Sequence, residues 1–305
     1  MASIENITIV GPGAMGAAYA SLLYEANPGC VQFVADGKRY ERLCREGLIV
    51  NGKHYAIPVV RSRDRISPSD LVIFAVKHHH LDDAIRDTQS IIGDATDIMS
   101  VMNGIESEER LGAVFGVEKV LYAVAVGIDA VRMGNEVSYT NRGKILFGEA
   151  RNPSPSERIK RIQIFFDKAG IPYETPFDMI HTFWWKFMIN VGINQASAAL
   201  RAPYSVFQTS QEARQLMESA MEEVITVAGK EGVLLSQKDL EIWHTVLSNL
   251  NPQGKTSMLQ DVEAGRKTEV EMFAGKVIEL GKRHGVPTPI NQGLFDLIKD
   301  IEASY

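Results

Sequence analysis

The chain has 305 residues, enough for two domains, and its 45% hydrophobic and 23% charged residues are those of an ordinary globular protein. A net charge of -6 and a pI near 5.7 argue against a nucleic-acid binder held by charge. No run of ~18 apolar residues is present, so no membrane span is expected. Met1 to Asn6 lacks a basic stretch followed by an apolar one, so no secretory signal is expected either. Cys30 and Cys44 show neither metal-ligand spacing nor a disulfide framework, and a cytoplasmic location is the expectation.

In chain order, Ile7 to Val10 is a β-branched run that feeds Gly11-Pro12-Gly13-Ala14-Met15-Gly16, and Ala17 to Tyr24 then reads as a helix. This is G-x-G-x-x-G between a strand and a helix, the context that makes it a dinucleotide fingerprint. Gly11 makes the tight turn, Gly13 lets backbone approach a pyrophosphate, and Gly16 lets helix and strand pack closely. The diphosphate would lie at the helix N-terminus, among free N–H groups. Val31 to Ala35 is a second strand. At its end stand Asp36-Gly37-Lys38-Arg39. Asp36 suits ribose hydroxyls, as for NAD(H); Lys38 and Arg39 suit a 2′-phosphate, as for NADP(H). Both readings stay open on these residues.

Asn51-Gly52 inside Leu48 to Val60 is a hairpin signal. Leu71 to Val76 is apolar throughout, as in a strand buried on both faces, and Lys77 follows at its carboxyl end, where open α/β sheets bind ligands. His78, His79 and His80 are not expected to hold a metal, because consecutive residues on a helix do not share a face. Ile98 to Met102 is another strand, and Asn103-Gly104 stands beyond it where Lys77 stands beyond its neighbour. Val120 to Val131 reads as a strand, with Glu136 to Tyr139 and Lys144 to Phe147 as a hairpin after it. Glu157 to Ala169 is helical and Ile171 to Pro176 extended. After about residue 177 strand signals stop. Helices are expected over 179–200, 211–231, 237–247, 257–263, 269–284 and 291–302. The division is thus an α/β domain over 1–176 and a helical domain over 177–305.

Within 179–200, Lys186, Asn190 and Asn194 are spaced four apart, each ~40° round an α-helix from the last. They form one polar stripe on a segment otherwise made of Phe183, Trp184, Phe187, Met188, Ile189, Val191 and Ile193. A helix apolar nearly all round is buried, and buried amides and ammonium need partners, either protein or ligand. Further on, Thr268 and Glu271 make a capping-box signature and put Glu269 in a first helical turn, where the helix dipole alone would explain an acid. Ser257 reads equally well as an N-cap.

Together these segments resemble the ketopantoate reductase family along essentially the whole chain. The glycine motif is shared with many dehydrogenases. More specific are the Lys-x3-Asn-x3-Asn helix and the late Ser257-Met258-Leu259-Gln260-Asp261 followed by Thr268-Glu269. The resemblance implies a Rossmann-type dinucleotide-binding domain followed by an all-helical C-terminal domain, with the active site in the cleft between them. It implies NADP(H)-dependent reduction of 2-dehydropantoate to pantoate, on the route to pantothenate. Lys186 matches the family's catalytic lysine and Glu269 its substrate-binding acid. Asn190, Asn194 and Ser257 match residues that hold the substrate. Asn103 matches an asparagine near the nicotinamide ribose and substrate, and Lys77 a lysine beside the cofactor. Met102 departs from the family, where glutamine is common. A small 2-oxo acid is the expected partner, with no nucleic acid and no membrane; a homodimer is compatible with the apolar helical half. The rival readings are a β-hydroxyacid dehydrogenase of similar architecture and a nicotinamide-binding sensor without turnover.

Overall fold

A computed structural model describes residues 3–64 and 66–305. The chain divides into two compact units, Met1–Ile180 and His181–Tyr305.

The first unit is built on an eight-stranded sheet. Its strands are β1 (Ile7–Val10), β2 (Val31–Val34), β5 (Val59–Val60), β6 (Leu71–Phe74), β7 (Asp97–Ser100), β8 (Val120–Ile128), β11 (Arg142–Gly148) and β12 (Tyr173–Glu174). Their order is β12-β11-β8-β7-β6-β1-β2-β5. The stretch from β7 to β5 is parallel, and β11 runs antiparallel to β8. A smaller sheet, β4-β3-β10-β9, holds β3 (Leu48–Val50), β4 (Lys53–Tyr55), β9 (Val131–Met133) and β10 (Glu136–Ser138). The helices are α1 (Ala14–Ala26), α2 (Gly37–Glu46), α3 (Leu81–Thr88), α4 (Ser107–Phe115) and α5 (Glu157–Ala169). Every residue of β1, β6 and β7 is buried, as expected where helices cover both faces of a parallel sheet, and β6 is apolar throughout. Alternating strands and crossover helices make this the Rossmann-type arrangement.

The hairpin differs from expectation. Glu136–Ser138 pairs with Val131–Met133 and with β3, while Arg142–Gly148 returns to β8. Gly134, at φ +60°, makes the tight turn between β9 and β10. Asp129 then accepts hydrogen bonds from the Thr140 and Asn141 amides at 2.9 and 2.8 Å, closing the excursion and sending the chain back to the large sheet.

The second unit is helical: α6 (Met179–Ile189, entering from the first unit), α7 (Gln195–Leu200), α8 (Tyr204–Thr209), α9 (Gln211–Lys230), α10 (Gln237–Asn249), α11 (Ser257–Glu263), α12 (Lys276–His284) and α13 (Pro289–Glu302). Two expected continuous helices are interrupted by single π-helical turns. One, Asn190–Asn194, joins α6 to α7; the other, Glu271–Gly275, precedes α12. A π-turn hydrogen-bonds i to i+5 and carries one residue more than an α-turn, which apolar periodicity does not reveal. The first packs on α9, and a Cβ on Gly192 would fall 2.4 Å from Met221 and 2.9 Å from the Met217 carbonyl, so only glycine permits that approach.

The capping box at Thr268 does not form. The Thr268 amide and hydroxyl both donate to Glu302, at 2.7 and 2.6 Å, and Glu271 instead accepts from Lys299 at 2.9 Å. A capping box does exist at Ser236 and Asp239. No helix among the described residues is long and apolar enough to cross a membrane, and no group of three or more His, Cys, Asp or Glu among them is placed to hold a metal.

Candidate active site

In the first unit the sheet register places three of the candidate residues. Val10 pairs with Phe74, and Phe74 with Ser100. Gly13, Lys77 and Asn103 therefore each stand three residues beyond one line across the sheet, at the carboxyl ends of β1, β6 and β7. That is where open α/β sheets bind ligands.

The glycine turn is sterically enforced. Gly11 has φ +104°, and a Cβ there would lie 2.7 Å from Val76. A Cβ on Gly16 would fall 2.0 Å from the Gly11 carbonyl oxygen. Gly13 is different: its nearest heavy atom would be 3.8 Å away, so the side facing outward is open for a ligand. Gly13 precedes α1 without a side-chain cap, and no acid occupies the first turn formed by Ala14, Met15 and Gly16. The turn's N–H groups thus suit a diphosphate. Beside it a cavity of about 270 Å³ is floored by Val10, Gly11, Val34 and Val76, with Arg39 and Asp87 also lining it. Arg39 lines a second hollow with Lys38 and Arg42 along α2. Asp36 caps no helical amide; its carboxylate accepts from the Ser62 amide at 3.2 Å. One Asp36 carboxylate oxygen is therefore already engaged, while Lys38, Arg39 and Arg42 line open space. Lys77 leads into a 3₁₀ turn over His78–His80, and Met102 is buried beneath the Asn103-Gly104 turn, where Gly104 has φ +90°.

In the second unit the polar stripe is built by the first π-turn. From Lys186 to Asn190 an α-helix drifts ~40°. Four steps through a wider π-turn rotate the chain by less than a full turn, which cancels that drift. Asn194 accordingly meets Asn190, donating from Nδ2 to Oδ1 at 3.2 Å. Asn194 Oδ1 accepts in turn from Ser257 Oγ at 3.2 Å. The N-cap of α11 is Thr256, whose hydroxyl accepts from Leu259 N at 3.1 Å, so Ser257 is free of the capping role the sequence allowed it. Asn190, Asn194 and Glu269 are all buried, with exposures of 5%, 6% and 8%. Burial pushes the Lys186 ammonium down from 10.5 to about 8. Near neutral pH it is thus a protonated group that releases its proton readily, the property wanted of a general acid.

Gln195 is a residue that pattern reading passed over. Fully buried, it donates from Nε2 to the Val191 carbonyl at 2.8 Å and to Asn291 Oδ1 at 3.1 Å. Its Oε1 accepts from the Ala274 amide at 3.1 Å. One side chain therefore links the π-turn that carries Asn190 and Asn194 to the π-turn that follows Glu269. A glutamine in an apolar run was the only available signal.

Residues 7–152 match the family model described as ketopantoate reductase PanE/ApbA, and residues 178–302 match the model of its C-terminal part. The chain is 26% identical over 304 residues to the 2-dehydropantoate 2-reductase of Aquifex aeolicus, covering 97% of this chain and 96% of that one. It is also 26% identical over 304 residues to the enzyme of the same name from Pyrococcus horikoshii, covering 98% of each. Among solved structures, the 2-dehydropantoate 2-reductase of Geobacter metallireducens GS-15 superposes with a TM-score of 0.84 at 26% identity, over 97% of this chain and 99% of that one.

Proposed function

The chain belongs to the ketopantoate reductase family, and from that premise we propose that it reduces 2-dehydropantoate, or a closely similar 2-oxo acid, using NADPH. The observation that carries this reading is the half-buried Lys186, its ammonium desolvated enough to lower its pKa, on the helix that leads to Asn190 and Asn194. The division into compact units at residues 180 and 181 supports a nucleotide-binding domain over 1–176 and a substrate domain over 177–305.

When bound, the reduced nicotinamide supplies the hydride that reaches the ketone carbon. Gly11, Pro12, Gly13, Ala14, Met15 and Gly16 would hold its diphosphate, Lys38 and Arg39 its 2′-phosphate, and Lys77 and Asn103 its nicotinamide half. Asp36 would serve the ribose if NADH were used instead. Lys186 Nζ donates a proton to the ketone oxygen as negative charge builds there, so hydride and proton together complete the new hydroxyl. Asn190, Asn194 and Ser257 present a row of amide and hydroxyl groups to the substrate's polar atoms and fix its orientation. Glu269 accepts a hydrogen bond from a substrate hydroxyl. Exposed Leu234, Ile242 and Val246 on and before α10 support a homodimer. Free Cys30 and Cys44 suit a cytoplasmic setting.

The test is loss of reduced-nicotinamide absorbance with 2-dehydropantoate, with NADPH and NADH in parallel. Fast oxidation of NADPH is expected. Turnover confined to 3-hydroxy acids with NAD would favour a β-hydroxyacid dehydrogenase. Cofactor binding without turnover on any 2-oxo acid would favour a sensor.

A further inference from the structure

Arg132 lies on β9 of the small sheet, far in sequence from the glycine turn, yet its guanidinium donates to the Pro12 carbonyl inside that turn. Its Nε donates to the Gly134 carbonyl at 3.0 Å. The β9–β10 hairpin that carries it is docked on the end of α2: Asn135 Nδ2 donates to Glu46 at 2.7 Å. This docking brings Arg132 beside the basic face of α2. Arg42 and Arg39 lie close enough that, after burial, they are the causes that lower its pKa. Arg39 and Arg42 line the same hollow as Lys38, Glu41 and Arg45, and Arg39 also lines the cavity at Gly11. Arg45 is engaged with Glu46 at 2.6 Å, and Glu41 is exposed. Three arginines from two separate elements thus converge beside the turn. Crowding like charges is unfavourable unless an anion sits among them. Arginine offers five N–H donors in a fixed fork, and the two backbone carbonyls leave Arg132 with donors to spare.

We propose that Arg132 and Arg42 are specificity-determining residues that join Arg39 in binding a nucleotide 2′-phosphate. Arg132 gives this site a property that a surface lysine would not. Its bond to Pro12 couples recognition of the phosphate ester to the shape of the turn that holds the diphosphate. The proposal rests on the reading that the glycine turn holds a nicotinamide cofactor.

The test uses the full chain and measures dissociation constants for NADPH and NADH by titration of nicotinamide fluorescence. Arg132→Met and Arg42→Gln are compared with the unaltered protein, with thermal melts to confirm folding. Losing a charge-assisted contact to phosphate should weaken NADPH about tenfold or more in each variant while changing NADH less than about twofold. Arg42 makes no backbone bond of the kind Arg132 makes, so Arg42→Gln keeps the test valid if Arg132→Met does not fold. Equal weakening of both cofactors by Arg132→Met would mean it only braces the turn, and would overturn the proposal. So would unchanged NADPH affinity in both variants. An unaltered protein that binds NADH but not NADPH would overturn this proposal alone; one that binds neither would overturn the cofactor reading beneath it.

Discussion

Replacing Lys186 with Met should make the protein more stable and much less active. Met has nearly the reach of the lysine stem but no charge to bury. The fall of the lysine's pKa from 10.5 to about 8 corresponds to about 3 kcal/mol, which folding spends against the charged form at neutral pH. The sign follows from proton counting. Unfolded, the lysine stays charged up to 10.5; folded, it releases its proton from about 8. Between those values the unfolded state binds more protons, so the unaltered protein gains stability as pH rises, and Lys186→Met does not. Urea unfolding reads this directly, because all three tryptophans, Trp184, Trp185 and Trp243, lie in the helical unit. At pH 7.5 the variant's midpoint should lie about 1 M higher, and by pH 9.5 its advantage should shrink by about 2 kcal/mol. Its kcat for the 2-oxo acid should fall on the order of 10² or more. A variant no more stable at pH 7.5, or an advantage that does not narrow, would refute the claim that desolvation lowers the Lys186 pKa. Near-normal turnover would refute the role of proton donor.

Two further outcomes follow from the first unit. Glu108 is buried, its Oε2 accepts from Ser107 Oγ at 2.8 Å, and burial pushes its pKa up to about 8 while Oε1 finds no partner. The folded state therefore holds a proton that the unfolded state releases above 4.5. Stability should fall by about 3 kcal/mol between pH 5 and 8, and scanning calorimetry of Glu108→Gln should show that slope abolished. Gly16→Ala should force the Gly11 carbonyl aside, weakening NADPH binding more than about tenfold and costing several kcal/mol of stability by thermal melt. Native affinity in that variant would show that the turn is not the diphosphate site.

The parts of the fold that periodicity encodes were legible. The unbroken apolar run of Leu71 to Val76 marked β6 as buried on both faces, and the glycines marked the turn between β1 and α1. What periodicity does not encode was missed. The pairing of β10 with β9 and β3 depends on Gly134 and on Asp129 closing a loop, an interaction between residues eleven and more apart. Both π-turns escaped for a related reason. A single added residue leaves composition untouched, and the ~100° it adds to the hydrophobic phase does not show where a helix is apolar nearly all round. Lys186, Asn190, Asn194 and Ser257 were singled out from spacing and resemblance, and the hydrogen bonds that join Asn190, Asn194 and Ser257 came only with the structure. Arg132 was invisible, because nothing local to β9 hints at Pro12.

The π-turn at Asn190–Asn194 has a consequence for insertions and deletions. Removing one residue from it would restore a regular α-helix, which the backbone accepts easily. Because the π-turn holds one residue more than the α-turn that would replace it, the helix downstream would keep its place, and the change would fall on the face of the turn itself. Gln195 would keep its reach to the Ala274 amide, but Asn190 would stand three residues before Asn194 instead of four, and the bond between the two amides would be lost without any change in amino-acid character. The number of residues between Lys186 and Gln195 is thus itself a working part of the protein, as exacting as their identities. A relative that carries the same side chains on a helix one residue shorter has a different site.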